Sequence, residues 1–167
     1  MSQKQVIIYY GKGEGDTSAA LGHAIRASSY GKVAIIFFMK GRETGEIKAL
    51  KQLKNIEIYL AGPKEFLVKS THQKHKEAAS KALKLAMKLM IKDYKLIVLD
   101  EILYALNYGL IKESEVLGLI KNSKSSLLLT GIKASPKILS LATISTEFRK
   151  IRHHYEKDKQ TIKGIDY

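Results

Sequence analysis

A glycine-rich turn near the start of the chain carries residue types that bind phosphate. Three glycines alternate with charged residues, and two hydroxyl residues follow them: Gly11, Lys12, Gly13, Glu14, Gly15, Asp16, Thr17 and Ser18. Glycines let backbone N–H groups approach a phosphate, a lysine supplies positive charge, and a Ser or Thr hydroxyl binds Mg²⁺. The turn therefore predicts a phosphate-binding loop, except that Asp16 stands where such a loop has its lysine.

A pair of carboxylates, Asp100 and Glu101, follows the apolar run 96–99. A carboxylate at the tip of a strand can hold Mg²⁺ directly or through water. The same pair is also typical of a helix start, because acidic side chains favour helix N-termini. The two motifs together, with the glycine turn first and the acidic strand end later, favour a site for a nucleotide and Mg²⁺.

The elements that must hold these residues follow from the apolar pattern. Residues 5–10 predict a strand that leads into the glycine turn, and residues 17–29 predict the helix after it. Further strands are predicted at 33–38, 56–60, 96–99, 127–130 and 144–148, and further helices at 45–54, 71–93, 101–108, 112–121 and 136–142. This alternation predicts an α/β fold, with a mostly parallel sheet flanked by helices.

Ligands of such sheets bind beyond the carboxyl ends of the strands. Four short segments fall at predicted carboxyl ends: the glycine turn, Lys40-Gly41, Asp100-Glu101 and Thr130-Gly131. We therefore expect these segments to meet on one rim of the sheet.

The composition is that of one globular domain. A length of 167 residues is enough for one full core, so we expect a single domain over 1–167, with 152–167 as a terminal loop segment. No apolar run approaches the roughly 20 residues of a membrane helix, and the start of the chain has no signal-peptide pattern. Cysteine is absent, which excludes disulfides and thiolate metal ligands. These features predict a cytoplasmic protein with no membrane partner.

The chain is strongly basic, with 29 Lys and Arg against 16 Asp and Glu and a net charge of +13. This balance favours anionic partners such as nucleotides, nucleic acid or a membrane surface. The lysines of the predicted helix 71–93 lie opposite a stripe of small and apolar residues, and no aromatic residue is interleaved with them. We therefore expect a solvated basic face that includes His72 and His75, and no nucleic-acid groove.

The order of the motifs resembles the ATP:cob(I)alamin (corrinoid) adenosyltransferases of the phosphate-loop type. The resemblance runs from about Val6 to the last residue and rests on the segments 10–21, 37–41, 45–46, 99–101, 129–131 and 163–167. Its specificity lies in the combination, above all in Lys40-Gly41 and in the final Gly-Ile-Asp-Tyr. The resemblance implies a P-loop NTPase-like (RecA-like) fold and a homodimer.

The resemblance also implies a reaction and a set of site residues. ATP would give its 5′-deoxyadenosyl group to the reduced cobalt of a corrinoid, with triphosphate as the leaving group and a reductase as a possible partner. The residues from Gly11 to Ser18 would wrap the triphosphate, and Thr17 or Ser18 would organise Mg²⁺ with Asp100 and Glu101. By the same analogy Lys40 and His153 would contact ATP, and Phe66 would contact the corrinoid.

Four positions depart from the family's usual residues, which are lysine at Asp16, arginine at Ile132, aspartate at Thr143 and tryptophan near Val68. The change at Asp16 moves the local charge by two units, and each unit at about 4 Å from a phosphate contributes on the order of 4 kcal/mol at an effective dielectric constant near 20. Lys12 and Lys40 are candidates to compensate, or Asp16 could help to hold a cation. The changes at Asp16 and Ile132 leave one alternative, a non-catalytic descendant of the fold that binds a nucleotide, a corrinoid or an acidic partner. The net charge of +13 leaves another, a nucleic-acid-binding ATPase.

Overall fold

The computed structural model describes residues 4–65, 67–152 and 162–165. Strands and helices alternate as the apolar pattern predicts, with ends that differ by a few residues. The strands are β1 (Val6–Gly11), β2 (Val33–Phe37), β3 (Ile56–Leu60), β4 (Leu96–Asp100), β5 (Ser126–Gly131) and β6 (Ile144–Phe148). The helices are α1 (Asp16–Ser28), α2 (Gly45–Leu50), α3 (His72–Leu89), α4 (Ile102–Asn107), α5 (Glu113–Asn122) and α6 (Pro136–Leu139), and a 3₁₀ turn (Lys69–Thr71) precedes α3.

All strand pairs of the six-stranded sheet are parallel, in the order β3-β2-β4-β5-β1-β6. The strand that leads into the glycine turn, β1, therefore lies between β5 and β6, and β5 separates it from the acidic strand β4. The parallel sheet flanked by helices confirms the predicted α/β fold. The central strands are continuous apolar runs because helices cover both faces of the sheet.

The core consists of two apolar layers, one on each face of the sheet. Neighbouring residues of β2 belong to different layers, with Ile35 in one and Ile36 in the other, because successive side chains of a strand point to opposite faces. Residues of α1 and α2 pack in the layer of Ile35, and residues of α3, α4, α5 and α6 pack in the layer of Ile36. Full burial of one such side chain contributes roughly 1.5–3 kcal/mol, so the strand ends are held on a rigid support.

The lysines of α3 face solvent, as predicted, and the buried side of the helix is formed by Ala79, Ala82, Leu83, Ala86 and Leu89. The expectation that His75 is a surface residue is wrong. This side chain is 1% exposed, and its Nδ1 lies 3.0 Å from the carbonyl oxygen of Thr71 one turn earlier. In the part of the chain that the structure describes, no helix has the length and apolar character needed to cross a membrane.

Candidate functional site

The glycine turn leaves the carboxyl end of β1 and packs against the end of β6. Gly11 has φ 141°, a backbone conformation that favours glycine, and a Cβ there would overlap the carbonyl oxygen of Phe148. A Cβ on Gly13 would lie 2.8 Å from the carbonyl carbon of Arg149, and the Gly13 N–H donates a 2.9 Å hydrogen bond to the Phe148 carbonyl oxygen. The first and second glycines are thus required by close approach to β6.

The third glycine, Gly15, precedes α1 with φ 110° and no side-chain cap for the helix. The first backbone N–H groups of a helix have no partner within the helix, and they carry the positive end of its dipole. An anion such as a phosphate binds at this kind of helix start. The strand, turn and 13-residue helix therefore form the local geometry of a phosphate-binding loop.

Asp16, the first residue of α1, introduces a carboxylate at this helix start. Burial raises the pKa of Asp16, and the backbone N–H groups of Thr17, Asp16 and Gly131 act in the opposite direction. The Asp16 carboxylate thus accepts hydrogen bonds from backbone N–H groups at the start of α1 and at the end of β5. A lysine at this position would add positive charge, whereas Asp16 adds an anion next to the place where a phosphate would bind.

The hydroxyl of Thr17 connects α1 to the acidic end of β4. Thr17 Oγ1 donates a hydrogen bond of 2.9 Å to Asp100 Oδ1, and Thr130 Oγ1 donates one of 2.8 Å to the same oxygen. The other oxygen, Asp100 Oδ2, is buried and has no hydrogen-bond partner among the described residues. Burial raises the pKa of Asp100 to about 6, while the hydrogen bonds from Thr130 and Thr17 and the charge of Lys40 lower it.

The backbone of Glu101 is held in an unusual conformation. Glu101 has φ 60°, and it is the one non-glycine residue with positive φ in the described ranges. Its N–H donates a 2.8 Å hydrogen bond to Thr130 Oγ1, so Thr130 bonds to both members of the acidic pair. Burial and the charge of Asp100 raise the pKa of Glu101 to about 7. Such a backbone conformation destabilises the folded state by about 1–3 kcal/mol for each non-glycine residue, and residues of this kind cluster at functional sites.

Lys40 lies near the acidic pair and has a partner of its own. Its Nζ forms an ion pair with Glu46 Oε1 at 2.6 Å and lies 5.0 Å from the centre of the Phe37 ring. The charge of Lys40 lowers the pKa values of both Asp100 and Glu101. In this arrangement Lys40 offsets negative charge at the end of β4.

The acidic pair and Thr17 suit a magnesium ion that also binds phosphate oxygens. Mg²⁺ in nucleotide sites is held by one or two carboxylates, and the nucleotide and water complete its ligands. The unpartnered Asp100 Oδ2 is a ligand atom of the right kind, with the Thr17 hydroxyl beside the other oxygen of this carboxylate. These few protein ligands fit a cation whose other ligands come from a nucleotide and water.

Comparison with known proteins relates this geometry to a family. The family model described as ATP:corrinoid adenosyltransferase BtuR/CobO/CobP matches residues 2–167. The chain belongs to this family. Corrinoid adenosyltransferase CobA of Salmonella typhimurium is 28% identical over 167 residues, covering 97% of this chain and 85% of the relative. The corrinoid adenosyltransferase of Escherichia coli K12 has the same identity and coverage, and that of a Sinorhizobium species is 29% identical over 173 residues, covering 97% of this chain and 79% of the relative.

Among solved structures, the crystal structure of the Pyrococcus furiosus Hef helicase domain aligns with 89% of this chain and 36% of that chain. Its TM-score is 0.46 at 13% sequence identity.

Most of the site residues expected from the sequence lie together in this member of the family. The loop from Gly11 to Ser18, Lys40 and the pair Asp100-Glu101 lie at the carboxyl ends of β1, β2 and β4, on one rim of the sheet. Thr17 is the hydroxyl residue that reaches Asp100, whereas Ser18 is exposed. His153 and Phe66 lie outside the described residues, as do Asp166 and Tyr167 at the end of the chain.

Two residues have structural roles in the site that the sequence did not predict. Thr130 lies on the rim, as expected from its place at a strand end, and the structure adds that its hydroxyl bonds to both members of the acidic pair. Phe148 contacts the glycine turn through its backbone, and its ring packs against Tyr9 with centroids 5.5 Å apart. No local pattern marks Phe148, because its contact joins segments that are far apart in the chain.

The four positions at which this chain differs from the family's usual residues lie in different parts of the structure. Thr143 lies at the amino end of β1, where its Oγ1 accepts a 2.9 Å hydrogen bond from the Val6 N–H, so this departure is structural. Ile132 follows β5 and lines a cleft beside the glycine turn. Val68 is 53% exposed just before the 3₁₀ turn. Asp16 is thus the departure that lies within the phosphate-binding loop itself.

Proposed function

We propose that this protein transfers the 5′-deoxyadenosyl group of ATP to the cobalt of a reduced corrinoid. Cobalt(I) supplies the electron pair of the new Co–C bond, the bond between C5′ and the triphosphate oxygen breaks, and triphosphate leaves with the electron pair of that broken C–O bond. The observation that supports this proposal best is the hydrogen bond between Thr17 and Asp100 beneath a glycine-rich loop, in a chain that the family model matches over residues 2–167.

The chain's own residues orient ATP and stabilise the departing polyanion. The backbone N–H groups of the glycine turn and the positive end of α1 bind triphosphate oxygens. Asp100 and Thr17 would hold Mg²⁺, with Glu101 nearby, and Mg²⁺ when bound would neutralise charge on the triphosphate. The corrinoid carries the nucleophile, so the protein contributes mainly by bringing C5′ and cobalt together.

Further features of the proposal come from the sequence. We propose a homodimer in the cytoplasm, with a reductase that supplies reduced corrinoid. We also retain His153 and Phe66 as residues that contact ATP and the corrinoid, respectively. We also retain Lys40 as a residue that contributes to ATP binding, and its lowering of the pKa values of Asp100 and Glu101 supports a role in offsetting their charge.

The test is an anaerobic absorbance assay with chemically reduced cobalamin and Mg-ATP, which follows the light-sensitive spectrum of adenosylcobalamin. We expect product from the wild-type protein and a loss of about 100-fold in rate for Asp100→Asn, which removes a charged Mg²⁺ ligand. Asp93→Asn, at the amino end of β4, is the matched control and should leave the rate unchanged. Absence of product from the wild-type protein, under conditions where the Escherichia coli relative is active, would contradict the proposal.

A second candidate is a non-catalytic member of the family that binds the nucleotide or the corrinoid without transfer. The carboxylate of Asp16 at the phosphate-binding helix start favours this alternative, because it repels phosphate. Asp16→Lys in the same assay separates the two candidates. Product from the wild-type protein supports the transferase, whereas product from Asp16→Lys alone, with calorimetric binding to the wild-type protein, supports the binding protein.

A further inference from the structure

A second feature of the rim is a basic cleft beside the glycine turn. The cleft has a volume of about 410 Å³ and is lined at the carboxyl ends of β1, β5 and β6. Its charged lining residues are four cations and one carboxylate: Lys12, Lys133, Arg149, Lys150 and Glu147. The cleft therefore has the charge needed to receive an anion.

Three of these cations come from different parts of the chain. Lys12 lies in the glycine turn, Lys133 follows β5, and Arg149 follows β6. All three are exposed, and none forms an ion pair within the described ranges. Lys40, by contrast, is paired with Glu46. Lys12, Lys133 and Arg149 thus concentrate positive charge that no carboxylate of the described structure neutralises through an ion pair.

The cleft and the glycine turn form one continuous surface. Lys12 belongs to both, and the Gly13 N–H is bonded to the Phe148 carbonyl oxygen directly before Arg149. The close approach of Gly13 to the Arg149 backbone fixes this relation. A chain of linked phosphates that touches the loop can therefore extend into the cleft without leaving the protein surface.

The start of α1 explains why such an extension is favourable. Asp16 places a carboxylate there, and the backbone N–H groups of Thr17 and Gly131 already interact with it. A polyphosphate of several negative charges is repelled by this carboxylate and attracted by the cations of the cleft. The phosphates that extend beyond the glycine turn and the start of α1 are therefore best compensated toward β6, on the side away from the Asp16 carboxylate.

We propose that the basic cleft is a polyphosphate subsite, in which Lys12, Lys133 and Arg149 supply the positive charge that the loop lacks at position 16. Its ligand is the triphosphate chain, both as part of ATP and as the released product. The identification of that ligand rests on the proposed function, but its binding can be measured without a corrinoid and without turnover.

The test is calorimetric titration of the whole chain with inorganic triphosphate, ATP and AMP, in buffer free of divalent cations. Lys12→Gln, Lys133→Gln and Arg149→Gln should each weaken triphosphate binding about tenfold, because each removes a charged partner of a phosphate oxygen. ATP binding should weaken by a similar factor, and AMP binding should change less than threefold. The charge-conserving Lys133→Arg should retain most of the wild-type affinity.

The chain offers a matched control at the amino end of the sheet. A cleft of about 420 Å³ there is lined by Tyr30, Gly31, Lys32, Asp93 and Lys95. Lys95→Gln makes the same charge change on an exposed residue far from the loop, and it should leave triphosphate binding within twofold of wild type. Circular dichroism and thermal unfolding of every variant verify that the fold is retained.

Two further outcomes decide the proposal. The variant Asp16→Lys places a positive charge at the start of α1. In that variant, Arg149→Gln should weaken triphosphate binding less than it does in the wild-type chain. If the three cleft variants bind triphosphate like Lys95→Gln, or if the wild-type chain does not bind triphosphate, the polyphosphate subsite is wrong. The adenosyl-transfer assay separates the two proposals: product from the wild-type chain together with cleft variants that bind triphosphate normally refutes the subsite alone, whereas absence of product with weakened triphosphate binding in the cleft variants refutes the proposed function alone.

Discussion

Thr17 and Asp100 are 83 positions apart in the chain, and the Thr17 hydroxyl donates a 2.9 Å hydrogen bond to Asp100 Oδ1. This bond joins the first turn of α1 to the end of β4, across the intervening strand β5. Together with the bond from Thr130 it occupies one carboxylate oxygen and leaves Oδ2 without a partner in the described structure. The two bonds thus hold the Asp100 carboxylate in place and leave one buried oxygen available as a ligand atom.

The first prediction concerns this bond. Thr17→Val removes the hydroxyl and keeps a similar shape, so we expect a loss of about 1.5–3 kcal/mol in the free energy of unfolding, typical of a hydrogen bond to a charged group. Adenosyl transfer should fall together with the affinity for Mg-ATP. Urea unfolding and calorimetry measure the two effects. Thr17→Ser keeps the hydroxyl and is the control; equal losses in Thr17→Ser and Thr17→Val would show that the hydrogen bond is not the cause.

The second prediction concerns the backbone of Glu101. Glu101→Gly and Glu101→Ala both remove the carboxylate, but only glycine adopts φ 60° without strain. We expect the glycine variant to exceed the alanine variant by about 1 kcal/mol in the free energy of unfolding. Both variants should lose activity to the same extent if the carboxylate contributes to the site. An alanine variant as stable as the glycine variant in urea unfolding would argue against strain at this residue.

The third prediction compares two glycines of the same strand–turn–helix unit. Gly11→Ala forces a Cβ against the Phe148 carbonyl oxygen at a positive φ. We therefore expect the free energy of unfolding to fall by about 2–4 kcal/mol and triphosphate binding to be impaired. Gly22 lies inside α1, and a Cβ there would have no atom within 4 Å. Gly22→Ala should therefore raise the free energy of unfolding by about 0.5–1 kcal/mol. Thermal and urea unfolding measure both changes. A Gly11→Ala variant that is as stable as wild type would contradict the close packing of the turn on β6.

The fourth prediction concerns pH and a carboxylate far from the rim. The hydroxyls of Tyr94 and Tyr59 donate hydrogen bonds to Glu57 Oε2, and these bonds hold the pKa of Glu57 below its ordinary value of 4.5. Because the folded-state pKa is lowered, this stabilisation is present above pH 4.5 and is lost as the pH falls through the folded-state pKa.

Tyr94→Phe should therefore lower the free energy of unfolding by about 1 kcal/mol at pH 7 and by much less at pH 3, as measured by urea unfolding at each pH. Tyr30→Phe, at a side chain that is 79% exposed, is the control and should change little at either pH. A loss of stability in Tyr94→Phe that is equal at both pH values would show that ionisation of Glu57 is not involved.

The sequence alone determined the elements and the residue types of the site. Each strand and helix follows from a local apolar pattern, and alternation of the two leads to a parallel sheet. The glycine turn and Asp100-Glu101 were recognisable because a phosphate and a magnesium ion need these residue types at strand ends. The unusual charge at Asp16 was also visible without coordinates.

The tertiary structure decided how those residues act on one another. The sharing of Asp100 Oδ1 by Thr17 and Thr130, the left-handed backbone of Glu101 and the pairing of Lys40 with Glu46 depend on side-chain positions that no local pattern specifies. The cleft of Lys12, Lys133 and Arg149 likewise exists only because β1 lies between β5 and β6. Local periodicity specifies which residues form strands, whereas the order of those strands arises from packing of the whole sheet, and it is this order that brings distant charges together.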